Sequence, residues 1–291
     1  MKNNINKYKN IIEQTMSTIF LIAGAISVLA VIFITIYMFI AGLPAILEIG
    51  FIEFIFGNKW MSTAKEPLFG ILPFILTSIY GTLGAIIIGV PIGLMTAIYL
   101  SKIANNKVAN ILRTCIELLA GIPSVVYGLV GMMLLVPFVM NFFNLPSGAT
   151  LFSAIIVLAI MILPSIITIS ERALLQVPKE YEEASLALGA SKIETIFKVS
   201  LKASKSGIIA SVVLGVGRAI GEAMAVMMVA GNVANMPKLF GSVRFLTTAV
   251  ASEMSYADGL QEKALFSIAL ILYIFIMLIN YFLNRFLKKG N

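Results

Sequence analysis

The chain has 291 residues, 59% hydrophobic and only 12% charged, with a mean hydropathy of +0.99 and a formal net charge of +7. Soluble domains carry about 25% charged residues, so a soluble fold is excluded. Apolar runs longer than the roughly 20 residues of a spanning helix also exclude the short alternating strands of a β-barrel, leaving an all-α membrane protein.

Six apolar segments are predicted, at about 16–43, 70–100, 110–143, 149–177, 204–231 and 264–286. Residues 1–15 and 287–291 read as tails, 16–69 as a leading membrane helix with an external loop, and 70–286 as one continuous core unit. The first apolar run is too long for a signal-peptide core and lacks a small-residue cleavage site, so no cleavable leader is expected. The 21 lysines and arginines sort between the connections. Fifteen fall in the N-terminal tail, the second and fourth connections and the C-terminus, five in the other loops, and Arg218 lies inside an apolar segment. By the positive-inside rule both termini are cytoplasmic, and the net charge is topogenic with no nucleic-acid partner implied. No tandem repeat or low-complexity tract interrupts this pattern.

The first external loop, about 44–69, carries Trp60, which is expected to be an interfacial anchor at the lipid headgroups. The second segment contains GVPIG (Gly89, Pro91, Gly93), a weaker case of the interruption seen next. In the third segment, ELLAGIPSVVYGLVG, Pro123 removes a helical hydrogen bond, and Gly121, Gly128 and Gly131 allow close approach. Broken helices at membrane depth are tolerated where they line a cavity, so Pro123 is expected beside a translocation path, with Tyr127 in path or core. Glu117, near the cytoplasmic boundary of this segment, is a helix-end or interhelical hydrogen-bonding partner or a path residue.

The fourth connection holds PKEYEEASLALGASKIETIFKVSLKA, residues 178–203. Pro178 suits the first helical position, and Glu180, Glu182 and Glu183 favour the positive end of the dipole. Gly189 supplies a left-handed stop, and Ser191 with Glu194 has capping-box spacing that restarts a helix. Ile193, Ile196, Phe197 and Leu201 would share one stripe of that second helix. The prediction is helix, glycine corner, helix, in an aqueous loop.

The fifth segment contains GRAIGEAMA. Arg218 and Glu222, four apart, would lie on one helical face beside Gly217 and Gly221, which would admit a neighbouring helix. A charge at mid-bilayer costs about 2.5–3.5 kcal/mol on insertion scales, so such residues face the bundle interior or a wet path. Arg218 either presents its guanidinium to a passing anion, with Glu222 as gate, or the two form a structural ion pair. The last external loop, about 232–263, includes VRFLTTAVASEM, amphipathic enough for a short surface or re-entrant helix. No nucleotide-binding motif occurs, Gly57-Asn58-Lys59 being a fragment in an external loop. With one cysteine (Cys115), no histidine and no catalytic cluster, neither metal, cofactor nor enzymatic activity is expected of this chain. Energy for transport would come from a partner.

Glu183-Ala184-Ser185, three residues, Gly189, nine residues, Val199 and Leu201 resemble the EAA loop of ABC importer permeases, E-A-A-x3-G-x9-I-x-L-P. Ser185, Val199 and Lys202 stand where that family usually has alanine, isoleucine and proline. The resemblance implies that Glu183, Ala184, Ser185, Gly189 and Leu201 belong to two short helices seated in a cleft of an ATPase subunit. GNKW (57–60), LFGILPFILTS (68–78), ELLAGIPSVVYGLVG (117–131) and GVGRAIGEAMAVMMVAGN (215–232) resemble the permease of the phosphate-specific (Pst) importers, PstC type. That implies a type I, MetI-like fold of a leading helix plus five core helices, in the plasma membrane of a prokaryote. Implied partners are a PstA-type second permease, two ATPase subunits, an extracytoplasmic phosphate-binding protein and membrane lipid. The sister PstA type, or a permease for molybdate, sulfate or phosphonate, is the alternative.

Overall fold

A computed structural model describes residues 2–289; the expected tail positions Met1, Gly290 and Asn291 lie outside the described residues. Helix α1 runs from Lys2 to Ile49 and short α2 from Phe51 to Phe56, followed by a two-stranded antiparallel hairpin, β1 (Trp60–Met61) and β2 (Leu68–Phe69). Helix α3 (Leu72–Ile98) continues into a π-helical turn over Tyr99–Ile103, and α4 covers Asn106–Gly121. Then α5 (Ser124–Val130), a second π turn (Gly131–Leu135) and α6 (Val136–Phe142) form one rod, followed by α7 (Leu151–Leu175). The loop helices are α8 (Lys179–Ala187), α9 (Lys192–Thr195) and α10 (Leu201–Ala203), with a π turn over Ile196–Ser200 before α10. Helix α11 (Lys205–Gly221), short α12 (Met224–Val229), α13 (Leu246–Glu253) and α14 (Gly259–Lys289) complete the chain.

Among the described residues five helices are long and apolar enough to cross a membrane, or six when the bent pair Lys192–Ala203 and Lys205–Gly221 counts as one span. Two expected segments are shorter than predicted. The third does not begin near residue 110: the chain is extended at Ile122 and Pro123, and the apolar span is Ser124–Phe142. Pro123 ends one helix and starts another, so it is a break and not a kink. Before it, α4 is amphipathic, with Asn105 accepting a 2.9 Å bond from the Val108 amide as its N-cap. The fifth segment stops at Gly221, where Glu222 turns extended.

Helix α7 is the centre of the bundle. Its Leu151, Ile155, Leu158, Ile162 and Ile166 are buried among Ala85 of α3, Ala225 and Val229 of α12, and Phe245. A side-chain carbon at Gly84, Gly89 or Gly93 of α3 would come within 3 Å of Ile155, Ile162 or Ile166, so these glycines set the α3–α7 spacing. GVPIG is therefore a packing face. Helix α1 is exposed over most of its length and joins the bundle late, where Gly42 lies against α14 and Thr35 shares a 2.7 Å hydrogen bond with Tyr273.

Candidate functional site

The loop 178–203 folds as helix, glycine corner, helix. Pro178 sits one position earlier than expected, capping α8 in an extended conformation. Gly189 has φ +86° with open space around it, so backbone conformation alone requires glycine there. The capping box forms: Glu194 N–H donates to Ser191 Oγ at 3.3 Å, and Ser191 N–H donates to Glu194 Oε2 at 3.0 Å. The apolar stripe splits at the π turn that starts at Ile196. Ile196 is buried among Ala97, Ile98, Ile167 and Leu174, with Leu201 half-buried at the edge, whereas Ile193 and Phe197 are exposed.

Glu182, not Glu183, ties the loop to the bundle. It pairs with Lys102 at 2.5 Å and accepts from Ser200 Oγ at 2.7 Å. Burial pushes its carboxyl up, but the Lys102 and Ser200 hydrogen bonds and the Lys102 charge outweigh this and hold it below the ordinary carboxylate value. Ser185 and Thr195 share a 2.9 Å hydroxyl contact across the corner, which gives the serine a task alanine would not perform. Glu183 and Ala184 are exposed, and among the described residues Glu183 has no ion pair. Around them Tyr181, Leu186, Ile193 and Phe197 are also exposed, and Leu188 is 90% exposed. The exit needs no proline: the chain bends 71° at Ser204, whose hydroxyl donates to the Ser200 carbonyl at 2.8 Å.

The second region lies where two broken spans meet. Gly128 and Gly131 bring α5 against α12; a side-chain carbon at Gly128 would stand 2.8 Å from the Ala225 Cα. Tyr127 Oη donates to the Leu119 carbonyl at 2.8 Å, bridging the Pro123 break. At the other break Glu222 accepts from the Ala225 N–H at 3.0 Å through its carboxylate, and from Thr247 Oγ1 at 2.8 Å through its carbonyl. The structure therefore corrects the Arg218–Glu222 pair. The helix ends between them, the two do not share a helical face, and Glu222, one residue before the N-cap Ala223, accepts from an amide in the first turn of α12.

Arg218 instead donates to Ser165 Oγ of α7 at 3.3 Å, and among the described residues it makes no ion pair. It faces a cleft of about 570 Å³ lined by Ser165, Val213, Leu214, Gly217 and Asn280 of α14. Gly217 and Gly221, expected to admit a neighbouring helix, have nothing within 4 Å in this chain. Tyr127 lines a different, wholly apolar groove with Leu119, Val130 and Ile160. Glu117 is elsewhere, exposed on α4 in a pocket with Arg113, Thr168, Glu171 and Arg172. Of the expected path residues, Arg218, Tyr127 and Glu117 line three different surfaces, and Arg218 occupies the cleft between α7, α11 and α14.

The family model described as "Binding-protein-dependent transport system inner membrane component" matches residues 89–290, more than half of the chain. The chain belongs to that family. A Bacillus subtilis (strain 168) protein named probable ABC transporter permease protein YqgH is 39% identical over 269 residues, covering 89% of this chain and 87% of its own. The phosphate transport system permease protein PstC of Pasteurella multocida (strain Pm70) is 36% identical over 242 residues, 76% of this chain and 75% of its own. Among solved structures, the inward-facing MetNI methionine ABC transporter aligns with a TM-score of 0.58 at 20% identity, covering 76% of this chain and 94% of that one, which establishes the fold.

In this multi-pass permease sequence reasoning missed several polar residues. Ser165 and Asn280 are isolated polar positions inside apolar runs, and that isolation is the signal that could have found them. Trp60 is not a headgroup anchor. It is 7% exposed, packed edge-on against Phe69, and its indole N–H donates to both carboxylate oxygens of Glu253 at 3.1 and 3.2 Å. Glu253 also pairs with Arg244 and accepts from Gln261 at 2.9 Å and Ser62 at 3.3 Å. Arg244 in turn donates twice to the Asn232 carbonyl, at 3.1 and 2.9 Å. Helix α13 accordingly lies buried and not on the surface, its Leu246 N–H donating to Ser78 Oγ at 3.0 Å.

Proposed function

We propose that this chain is the PstC-type permease subunit of an ATP-driven importer of inorganic phosphate. The observation that carries the reading is Arg218, a guanidinium between membrane spans with a serine hydroxyl and, among the described residues, no carboxylate as its partner. An unneutralised cation in low dielectric is costly unless an anion visits it, and guanidinium suits tetrahedral oxyanions through bidentate donation. Phosphate is the anion of choice because relatives 36% and 34% identical to this chain are named phosphate transport system permeases.

Both termini and loop 178–203 are assigned to the cytoplasm. The exposed Tyr181, Leu186, Leu188, Ile193 and Phe197 then form the apolar face that two short helices offer to an ATPase subunit. A second permease of the PstA type would complete the path, a second ATPase would serve it, and an external phosphate-binding protein would deliver the anion. ATP-driven closure of the ATPases would move α8 and α9. Through the Lys102–Glu182 pair and the bend at Ser204 that joins α10 to α11, that movement would reach Arg218. No bond is broken on this chain. In cells, Arg218→Gln is expected to reduce phosphate uptake to background while the ATPases still co-purify; uptake at the wild-type rate would overturn the reading.

A further inference from the structure

The cleft beside Arg218 contains a second polar feature. Asn280 lies on α14, after the apolar run 274–279, is half-buried, and makes no hydrogen bond to any described residue. Its carboxamide is half-buried at the cleft wall and has no partner among the described residues, so it is free to meet a ligand there. No carboxylate lines the cleft, and Glu222 is committed to the Ala225 amide. The guanidinium of Arg218 can only donate. The side-chain oxygens available to accept a proton from a bound anion are those of Ser165, which already accepts from Arg218, and of Asn280.

We infer that the Asn280 carboxamide is a specificity-determining group that selects oxyanions still carrying a hydroxyl, a step that rests on the oxyanion path assigned to Arg218. At neutral pH phosphate retains at least one P–OH, whereas sulfate is fully deprotonated and offers only acceptors. Against phosphate, Asn280 Oδ1 accepts the hydroxyl proton while Arg218 and the Ser165 hydroxyl donate to the other oxygens. Against sulfate, Oδ1 faces lone pairs and is left without a hydrogen bond from the anion. A site built around such a hydrogen bond rejects the analogue that lacks its counterpart. A neutral acceptor performs this without the repulsion that a carboxylate would add.

The test uses the complete assembly with its ATPases and second permease, free of the binding protein so that its own filter is absent. Binding of radiolabelled phosphate and radiolabelled sulfate is measured on wild type, Asn280→Leu, Asn280→Gln and Arg218→Gln. Wild type is expected to favour phosphate, and Asn280→Leu to lower that preference about tenfold, the scale of one unmade hydrogen bond, while some anion binding persists. Asn280→Gln should restore the preference in part. Asn280→Ala gives the same readout should the leucine variant fail to assemble. Equal binding of the two anions by wild type, or an unchanged preference in the leucine or alanine variant, overturns the role of Asn280. Absence of anion binding in wild type, or undiminished binding in Arg218→Gln, instead overturns the site itself.

Discussion

The two ends of α3 meet opposite kinds of structure. At its start the hairpin and the 232–263 region close over one buried polar cluster, in which Glu253 receives Trp60, Ser62, Arg244 and Gln261. At its far end Lys102 holds loop 178–203 by a single acid, Glu182, and leaves Leu188 and Phe197 uncovered. The first end is complete within this chain. The second is internally pinned yet presents an unfinished surface, as expected of an element that must hold its shape before a partner arrives. The difference teaches where stability and function separate: one cluster consumes its polar groups, and the other keeps its apolar ones in reserve.

The largest effect that sharpens this contrast should come from the closed end. Arg244→Ala leaves the Glu253 carboxylate buried without its cation, and breaking a buried pair in this way costs about 3–5 kcal/mol. The purified protein should show a marked fall in unfolding midpoint and poor expression. Leu188→Asp at the open end should leave that midpoint unchanged and abolish ATPase co-purification. Similar destabilisation by both substitutions would erase the distinction.

Gly189→Val comes next. With open space around the glycine, the cost is confined to the backbone, of order 1–3 kcal/mol for a β-branched residue held at positive φ. The expected result is a local loss, seen as faster proteolysis or amide exchange in 180–200 and uncoupled ATP hydrolysis, with α3, α7 and α11 still protected. Wild-type coupling would show that the corner is not needed.

These two regions also show how much the sequence disclosed. The corner was legible because its determinants are local: Gly189, Ser191 and Glu194 act within six residues, and the short-range spacing survives folding. Trp60 was misread because its burial depends on Glu253, 193 residues away, and on rings contributed by Phe69 and Phe74. The Arg218–Glu222 pairing failed for a similar reason. Nothing in GRAIGEAMA stops a helix on its own; the stop is stabilised when Thr247 donates to the Glu222 carbonyl. In the membrane segments existence and order were readable from hydropathy. The two helix breaks were half readable, Pro123 from its missing amide and the stop at Gly221 not at all.

The smallest effect concerns acidity at the open end. The Glu182 carboxyl is held below its ordinary value of 4.5 by Lys102 and Ser200 against the opposing effect of burial. A depressed carboxylate contributes stability that is fully present above the unfolded value and is lost as pH falls through the folded one. Loop anchoring should therefore be constant from neutral pH down to about 5 and weaken only below the ordinary carboxylate range. Because the pair is a quarter exposed on the acid side, its net worth is about 1 kcal/mol or less. Glu182→Gln at neutral pH should reproduce the acid state, raising amide exchange in α8 and the 196–200 turn several-fold while the Trp60 cluster stays protected. Equal loosening of both ends in that variant would mean that the loop is held by the bundle as a whole, and the contrast between a finished end and a reserved one would fall.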